Sequence, residues 1–397
     1  MNYAATRTFH LVVAIFGLSL TSAALADEPA GSVAPRERRI LYNLDGTSPM
    51  FARAGSKGPV PMTVEDLKGL IREVTFPGSQ VDTVLICANA QAVFYPTIVG
   101  TMRGDSSTPE ERAKWSPAEK QWSENVRGFF AAGVDPHAVL LAEAKQQGRE
   151  ALFSFRMNDD HGYDFLRTQF WIDHPEYRLG SGALDFGHEA VREHTFRLIE
   201  EAMQRYDCDG LELDFNRFPS YFKDGAKEER IAKINSLVER IRKMLDVLGQ
   251  QRGRRLVLAA RIPSNFGKTP PSYEHSLEVG CDPAAWAKNG WIDFLTISDF
   301  YLQRYYDLPI APWKQIVPGI PIYGGIECRE TTAGVPKDQY LTADKYRRAA
   351  RHLWADGANG IYLFNFFTTR EWDAESFEPP FEALKDLGDP KRLSSDK

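Results

Sequence analysis

The chain has 397 residues, with 48 lysines and arginines against 54 aspartates and glutamates, giving a formal net charge of −6. Without a basic block or stripe, that balance gives no electrostatic footprint for a nucleic-acid partner. A chain of this length that is 43% hydrophobic has enough apolar material to bury one large core, which excludes a disordered or fibrous protein.

In chain order the first element is a leader. Arg7 supplies a positive start, Leu11 to Leu20 an apolar run too short for a comfortable bilayer span, and Ala24-Leu25-Ala26 a small-residue cleavage signature. Residues 1–26 therefore read as a secretory signal cut after Ala26. The mature protein is expected to be secreted or periplasmic, with no membrane segment once the signal is removed. Residues 37–388 show no linker, repeat or low-complexity boundary, so one domain is expected there, followed by a polar tail at 389–397.

Eight short apolar runs rich in β-branched and aromatic residues follow one another. They are Arg39 to Asn43, Val81 to Asn89, Ala151 to Asn158, Gly210 to Phe218, Arg255 to Pro263, Ile292 to Tyr301, Ile320 to Glu327 and Gly360 to Phe367. Between them lie helical faces such as Val191, Leu198, Ile199, Ala202, Met203 and Tyr206, or Ile231, Ile234, Leu237, Val238, Ile241, Leu245 and Leu248. Strands alternating with helices imply parallel pairing and right-handed crossovers, and eight such units close into a single-domain α/β (β/α)8 TIM barrel. Cys87, Cys208, Cys281 and Cys328 match no zinc or redox spacing and are expected as small buried thiols, with a disulfide as the alternative that export permits.

The fourth run, DGLELDFNRFP, carries Glu212, Asp214 and Asn216 on alternate positions. With Leu211, Leu213 and Phe215 facing the helices, those three polar side chains point into the barrel, where a charge needs a partner or a function. The other strand ends and the loops after them supply Asn43, Asp45, Asn89, Arg156, Asn158, Asp159, Asp160, His161, Arg217, Arg261, Asp299, Tyr301, Glu327 and Asn365. Active sites of this fold sit at that end. Hydrolysis of a glycosidic bond takes two carboxyl groups across a cleft, and Asp214, Glu327 and Asp299 are the best placed. The plainer reading of each is a carboxylate neutralised by Arg156 or Arg261.

Glu212, one layer deeper, is expected to orient an arginine or Asp214. Tyr163, Phe170, Trp171, Phe300, Tyr305, Tyr306, Trp313 and Trp372 offer ring faces for sugars, and about half of them are expected to be loop packing. Arg156, Arg217, Arg261, Arg329 and Arg370 suit an anionic glycan or, equally, ion pairs with local acids. His161 beside Asp160 is too sparse for a metal site, so neither metal nor cofactor is expected.

Two stretches carry a resemblance. DPHAVLLAEAKQQGREALFSFRMND and LDFGHEAVREHTFRLIEEAMQRYDCDGLELDFNRFP, with His174-Pro175-Glu176-Tyr177 between them, resemble the glycosyl hydrolase-like family ten group, barrel proteins of bacterial polysaccharide breakdown. The resemblance spans roughly residues 135 to 220. It departs where the group has a histidine and this chain has Glu212, and in the fifth strand, LAARIPSNFG. The same strand is similar to the D-G-x-D-x-D-x-E run of chitinase-type enzymes, with Asn216 where their proton donor stands, and to the D-G-x-R-x-D run of amylase-like enzymes, with Asp214 at their nucleophile. These likenesses imply a secreted glycoside hydrolase of a polysaccharide or oligosaccharide, possibly an anionic one. Asp214 would be its nucleophile or charge stabiliser and Glu327 its general acid, with Asp299 in reserve. A carbohydrate-binding barrel without catalysis is the alternative, and oligomeric state is open.

Overall fold

The structure is a computed structural model that describes residues 36–335, 337–370 and 378–394. The leader and Trp372 lie outside the described residues. The described residues from Glu37 onward form one compact unit. Its centre is a closed barrel of eight strands: β1 Ile40–Leu44, β2 Val81–Cys87, β3 Glu150–Arg156, β4 Gly210–Asp214, β5 Val257–Arg261, β6 Phe294–Ile297, β7 Ile322–Ile326 and β8 Ile361–Leu363. Every neighbouring pair is parallel, and β1 closes the ring by pairing with both β2 and β8. All eight predicted runs become barrel strands.

Seven of the eight runs extend past the hydrogen-bonded ladder, and Arg39 to Asn43 has the length of its strand. The fourth run, for example, leaves the sheet after Asp214, and Phe218 takes a φ of 54°. Helices cover the outside, each started by local chemistry. Thr63 caps Val64–Arg72 reciprocally with Asp66, Asp135 with Pro136 opens Pro136–Gln146, and Thr342 caps Ala343–Ala355. The apolar stripe expected on Glu189–Arg205 is buried throughout, and that on Lys227–Arg252 is buried except at the half-exposed Ile231. All four cysteines are buried thiols.

Alternation sorts the strand side chains into two cores. Leu211, Leu213 and Phe215 belong to the large core between sheet and helices, whereas Leu41, Leu85, Leu152, Ala259, Phe294, Tyr323, Tyr362 and Phe364 fill the barrel interior. At the floor, Arg38 binds Glu150 through two nitrogens (2.6 and 2.7 Å) while Thr83 donates to the same carboxylate (2.7 Å). At the C-terminal end, the segment read as a polar tail begins with a short helix, Pro390–Leu393, and Leu393 is buried. Among the described residues no helix is long and apolar enough to cross a membrane.

Candidate functional site

Register brings the charged side chains together. Arg156, Asp214 and Arg261 are direct neighbours across β3, β4 and β5, so cation, anion and cation stand in one interior layer at the carboxyl end. One layer below, Ser154, Glu212 and Ala259 are aligned in the same way.

Arg261 is the centre of the upper layer. Its Nη1 lies 3.2 Å from Asp214 Oδ2, its Nη2 donates to Glu327 Oε1 at 2.7 Å, and its Nε donates to Ser298 Oγ at 2.7 Å. The guanidinium carbon lies 4.0 Å from the centre of the Phe364 ring, which removes water from one face. Space for this packing comes from Gly325 on β7, where a Cβ would come within 2.1 Å of the Ser298 Cβ. Asp214 also accepts from the backbone N–H groups of Asn216 (3.0 Å) and Arg217 (3.2 Å). Asp214 and Glu327 are thus brought together by one shared guanidinium, and all three side chains are at most 1% exposed.

Glu327 keeps one oxygen, Oε2, without a hydrogen-bond partner among the described residues. Burial pushes its pKa up to about 7, against the pull of Arg261 and Arg217 and with a further push from Asp299 and Asp214. Asp299 accepts from the backbone of Arg304 and Tyr305 through Oδ2 (2.8 and 2.9 Å), and burial lifts it to about 6. Glu212 accepts from Ser154 Oγ (2.7 Å) and Tyr362 Oη (3.0 Å), so its bonds go to hydroxyls rather than to an arginine or to Asp214. Burial and the charge of Asp214 push Glu212 up to about 7.

Glu212 therefore supplies a pH test. Its folded pKa is raised, so the native state holds a proton that the unfolded chain releases. Its contribution to stability is complete below about pH 4.5 and is lost as pH rises to about 7, on the order of 3 kcal/mol. Glu212→Gln is expected to melt higher than the parent at about pH 8 and within about a degree of it at about pH 5. Equal melting temperatures at both pH values would refute the buried-acid assignment.

Above this layer opens a cleft of about 1340 Å³. Among the expected site residues it is lined by Asp45, Arg156, His161, Arg217, Tyr301 and Asn365. Asp214, Glu327, Asp299 and Arg261 do not line it. They are buried. Arg156 pairs with Asp45 (2.5 Å) and Asp159 (3.1 Å), and Asp159 in turn holds His161 Nδ1 at 2.5 Å. Burial works against the charge on Asp45, but Arg156 and the Thr47 N–H outweigh it and hold the carboxyl below its usual range. Arg217 is 7% exposed.

The remaining expected residues brace the scaffold. Asn43 donates to Tyr362 Oη, and Asn89 clamps the Arg156 backbone from both sides. Asn158 ties Leu184 to Ser220, while Asn216 ties Ser264 to Ser298 and Asp299. Asp160 caps the N–H groups of Gly182 and Ala183, so His161 takes Asp159 and not Asp160 as its acid. Trp171 packs under Arg178 (3.7 Å) and does not face the cleft. Arg370 is paired with Glu73 and Glu378. Among the described residues no group of three or more His, Cys, Asp or Glu side chains is arranged to hold a metal ion.

Several cleft residues escaped the sequence reading, among them Arg103, Trp115, Glu119 and Phe165. Arg103, Trp115 and Glu119 come from the long connection between β2 and β3, residues 88–149, whose length was the available signal. Among the described residues five non-glycine residues have positive φ: Gln91, Phe218, Phe266, Tyr301 and Asn365. All five follow the carboxyl end of a barrel strand. Strain of about 1–3 kcal/mol per residue thus gathers on the side of the barrel where the cleft opens.

No protein-family model and no curated protein matches the chain. Solved structures do match its fold. An alpha-L-fucosidase isoenzyme 2 from Paenibacillus thiaminolyticus aligns over 90% of this chain and 49% of its own, with 13% identity and a TM-score of 0.51. The cell-surface-expressed chitinase ChiW from Paenibacillus sp. str. FPU-7 aligns over 88% and 43%, with 12% identity and a TM-score of 0.51. A GH138 enzyme targeting pectin rhamnogalacturonan II aligns over 94% and 40%, with 12% identity and a TM-score of 0.50. At these identities the likeness is one of fold, and the chain spans about half or less of the length of each.

Proposed function

We propose that this protein is an exported glycoside hydrolase that takes a polysaccharide or oligosaccharide into the cleft and cleaves it with Glu327 and Asp214. The observation that carries the reading is the pair itself. A carboxyl with a free oxygen and a pKa near 7 shares one buried guanidinium with a second carboxylate, at the end of the barrel where this fold performs chemistry. Such a group is costly to bury and suits a general acid that is still half protonated near neutrality.

Asp214, anchored by two backbone N–H groups and Arg261, supplies the negative charge that an oxocarbenium-like transition state requires. The names of the solved relatives agree with a saccharide substrate. So do the stretches similar to the glycosyl hydrolase-like family ten group, and the leader read at residues 1–26 agrees with export.

A second reading is a carbohydrate-binding barrel without catalysis. It is favoured by the burial of Asp214 and Glu327 and their absence from the cleft lining. A screen for reducing ends released from plant, marine and bacterial polysaccharides separates the two. The exported chain, whose first residue by mass spectrometry is expected to be Asp27, should release ends from at least one of them. Binding of a glycan without release from any polysaccharide would establish the second reading.

A further inference from the structure

We infer that the floor of the cleft is an anion subsite, in which Arg217 pairs with a negatively charged substituent, a carboxylate or a sulfate, on the bound saccharide. The inference rests on the saccharide reading above and adds the chemical class of the substrate.

Arg217 is the odd member of the charged layer. Arg156 and Arg261 each hold two carboxylates, but no carboxylate comes within ion-pairing distance of the Arg217 guanidinium among the described residues. Among the described residues its Nε has no partner, and its one side-chain contact of hydrogen-bond length is a long 3.4 Å from Nη2 to His161 Nε2. Yet the side chain is 7% exposed and lines the cleft. The rings of Phe218, Phe300 and Phe364 lie 5.6 to 5.9 Å from its guanidinium carbon, so it is also shielded from water.

A buried cation with no anion beside it is costly. Burial and the neighbouring charge of Arg156 both work against its protonated form, and the more distant Asp159, Glu327 and Asp45 only partly compensate. An anion arriving from the cleft would complete it. The planar fork of a guanidinium matches the paired oxygens of a carboxylate or sulfate.

The rest of the cleft has the same bias. Arg329, Lys114 and Lys337 line it without a salt bridge among the described residues, and of the five lining carboxylates Asp45, Glu111 and Glu119 are already paired. In a chain of net charge −6, the open charge in this cleft is positive.

The test is calorimetric titration of the parent, Arg217→Met and Arg217→Lys with three size-matched tetrasaccharides: neutral cellotetraose, tetragalacturonate and a sulfated galactan tetrasaccharide. The parent is expected to bind at least one charged tetrasaccharide about tenfold more tightly than the neutral one, with an affinity that falls as salt rises. A preference for tetragalacturonate assigns a carboxylate to the subsite, and a preference for the galactan assigns a sulfate. Arg217→Met should erase the preference, Arg217→Lys should retain part of it, and neither should melt below the parent, because no ion pair is lost.

Equal affinity of the parent for all three saccharides would overturn the anion subsite while leaving the saccharide reading in place. A charged-ligand affinity unchanged in Arg217→Met, or a lower melting temperature that marks Arg217 as structural, would do the same. Failure of the parent to bind any of the three, or any polysaccharide of the reducing-end screen, would overturn both.

Discussion

Arg261→Met is expected to destabilise the protein by about 3–5 kcal/mol at about pH 8 and by much less at about pH 5. The guanidinium is bonded to Asp214 and to Glu327, and all three groups are at most 1% exposed. Methionine has a similar length and packs against Phe364, so the loss is electrostatic and not a cavity effect. Without the cation, two buried carboxyl groups lose their shared partner, and Glu327 is driven further toward its protonated form.

The sign follows from linkage. Glu327 already has a folded pKa near 7, above its value in the unfolded chain, and removing Arg261 raises it further. The variant's native state therefore holds protons that its unfolded state releases, and stability falls as pH rises from about 4.5 through and beyond 7. Thermal melts of parent and variant between about pH 5 and 8 check this, and Glu327→Gln in the same background should restore part of the loss at the alkaline end. A loss that is small, or equal at every pH, would mean that the three groups are not energetically coupled.

The same triad marks how far the sequence could be read. The barrel was legible because eight apolar runs alternate with helical stripes, a pattern each local segment announces by itself. The inward direction of Glu212 and Asp214 was legible from a period of two. What the pattern could not say is which acids share a partner. Arg261 stands on a different strand from both of its carboxylates, and its position between them depends on register and on the absence of a side chain at Gly325. The bonding of the strand-end asparagines was hidden for a related reason. Asn89, Asn158 and Asn216 lie at strand ends, where a ligand would be met, and each spends its amide on the backbone of a neighbouring strand or loop. The walls of the cleft were the least legible part, since Arg103 and Trp115 lie in the irregular stretches of the connection between β2 and β3, outside its helices, and reach the mouth only by tertiary packing.

Glu327→Gln and Asp214→Asn are each expected to lower kcat on a natural glycan by roughly 10²–10⁴-fold while leaving saccharide affinity within about twofold. The two should differ in what rescues them. An acid is needed only when the leaving group is poor, so an aryl glycoside with a good leaving group should recover much of the activity of Glu327→Gln and little of that of Asp214→Asn. In the parent, an acid with a pKa near 7 must be protonated to act, so activity should fall as pH rises through about 7. That limb should vanish in Glu327→Gln. Both carboxyls are buried and absent from the cleft lining, so bond cleavage further requires a movement that opens them to the substrate. If both variants keep the activity of the parent, the reacting groups lie elsewhere in the cleft, and Asp45, the carboxylate from a strand end that does line it, becomes the first position to replace.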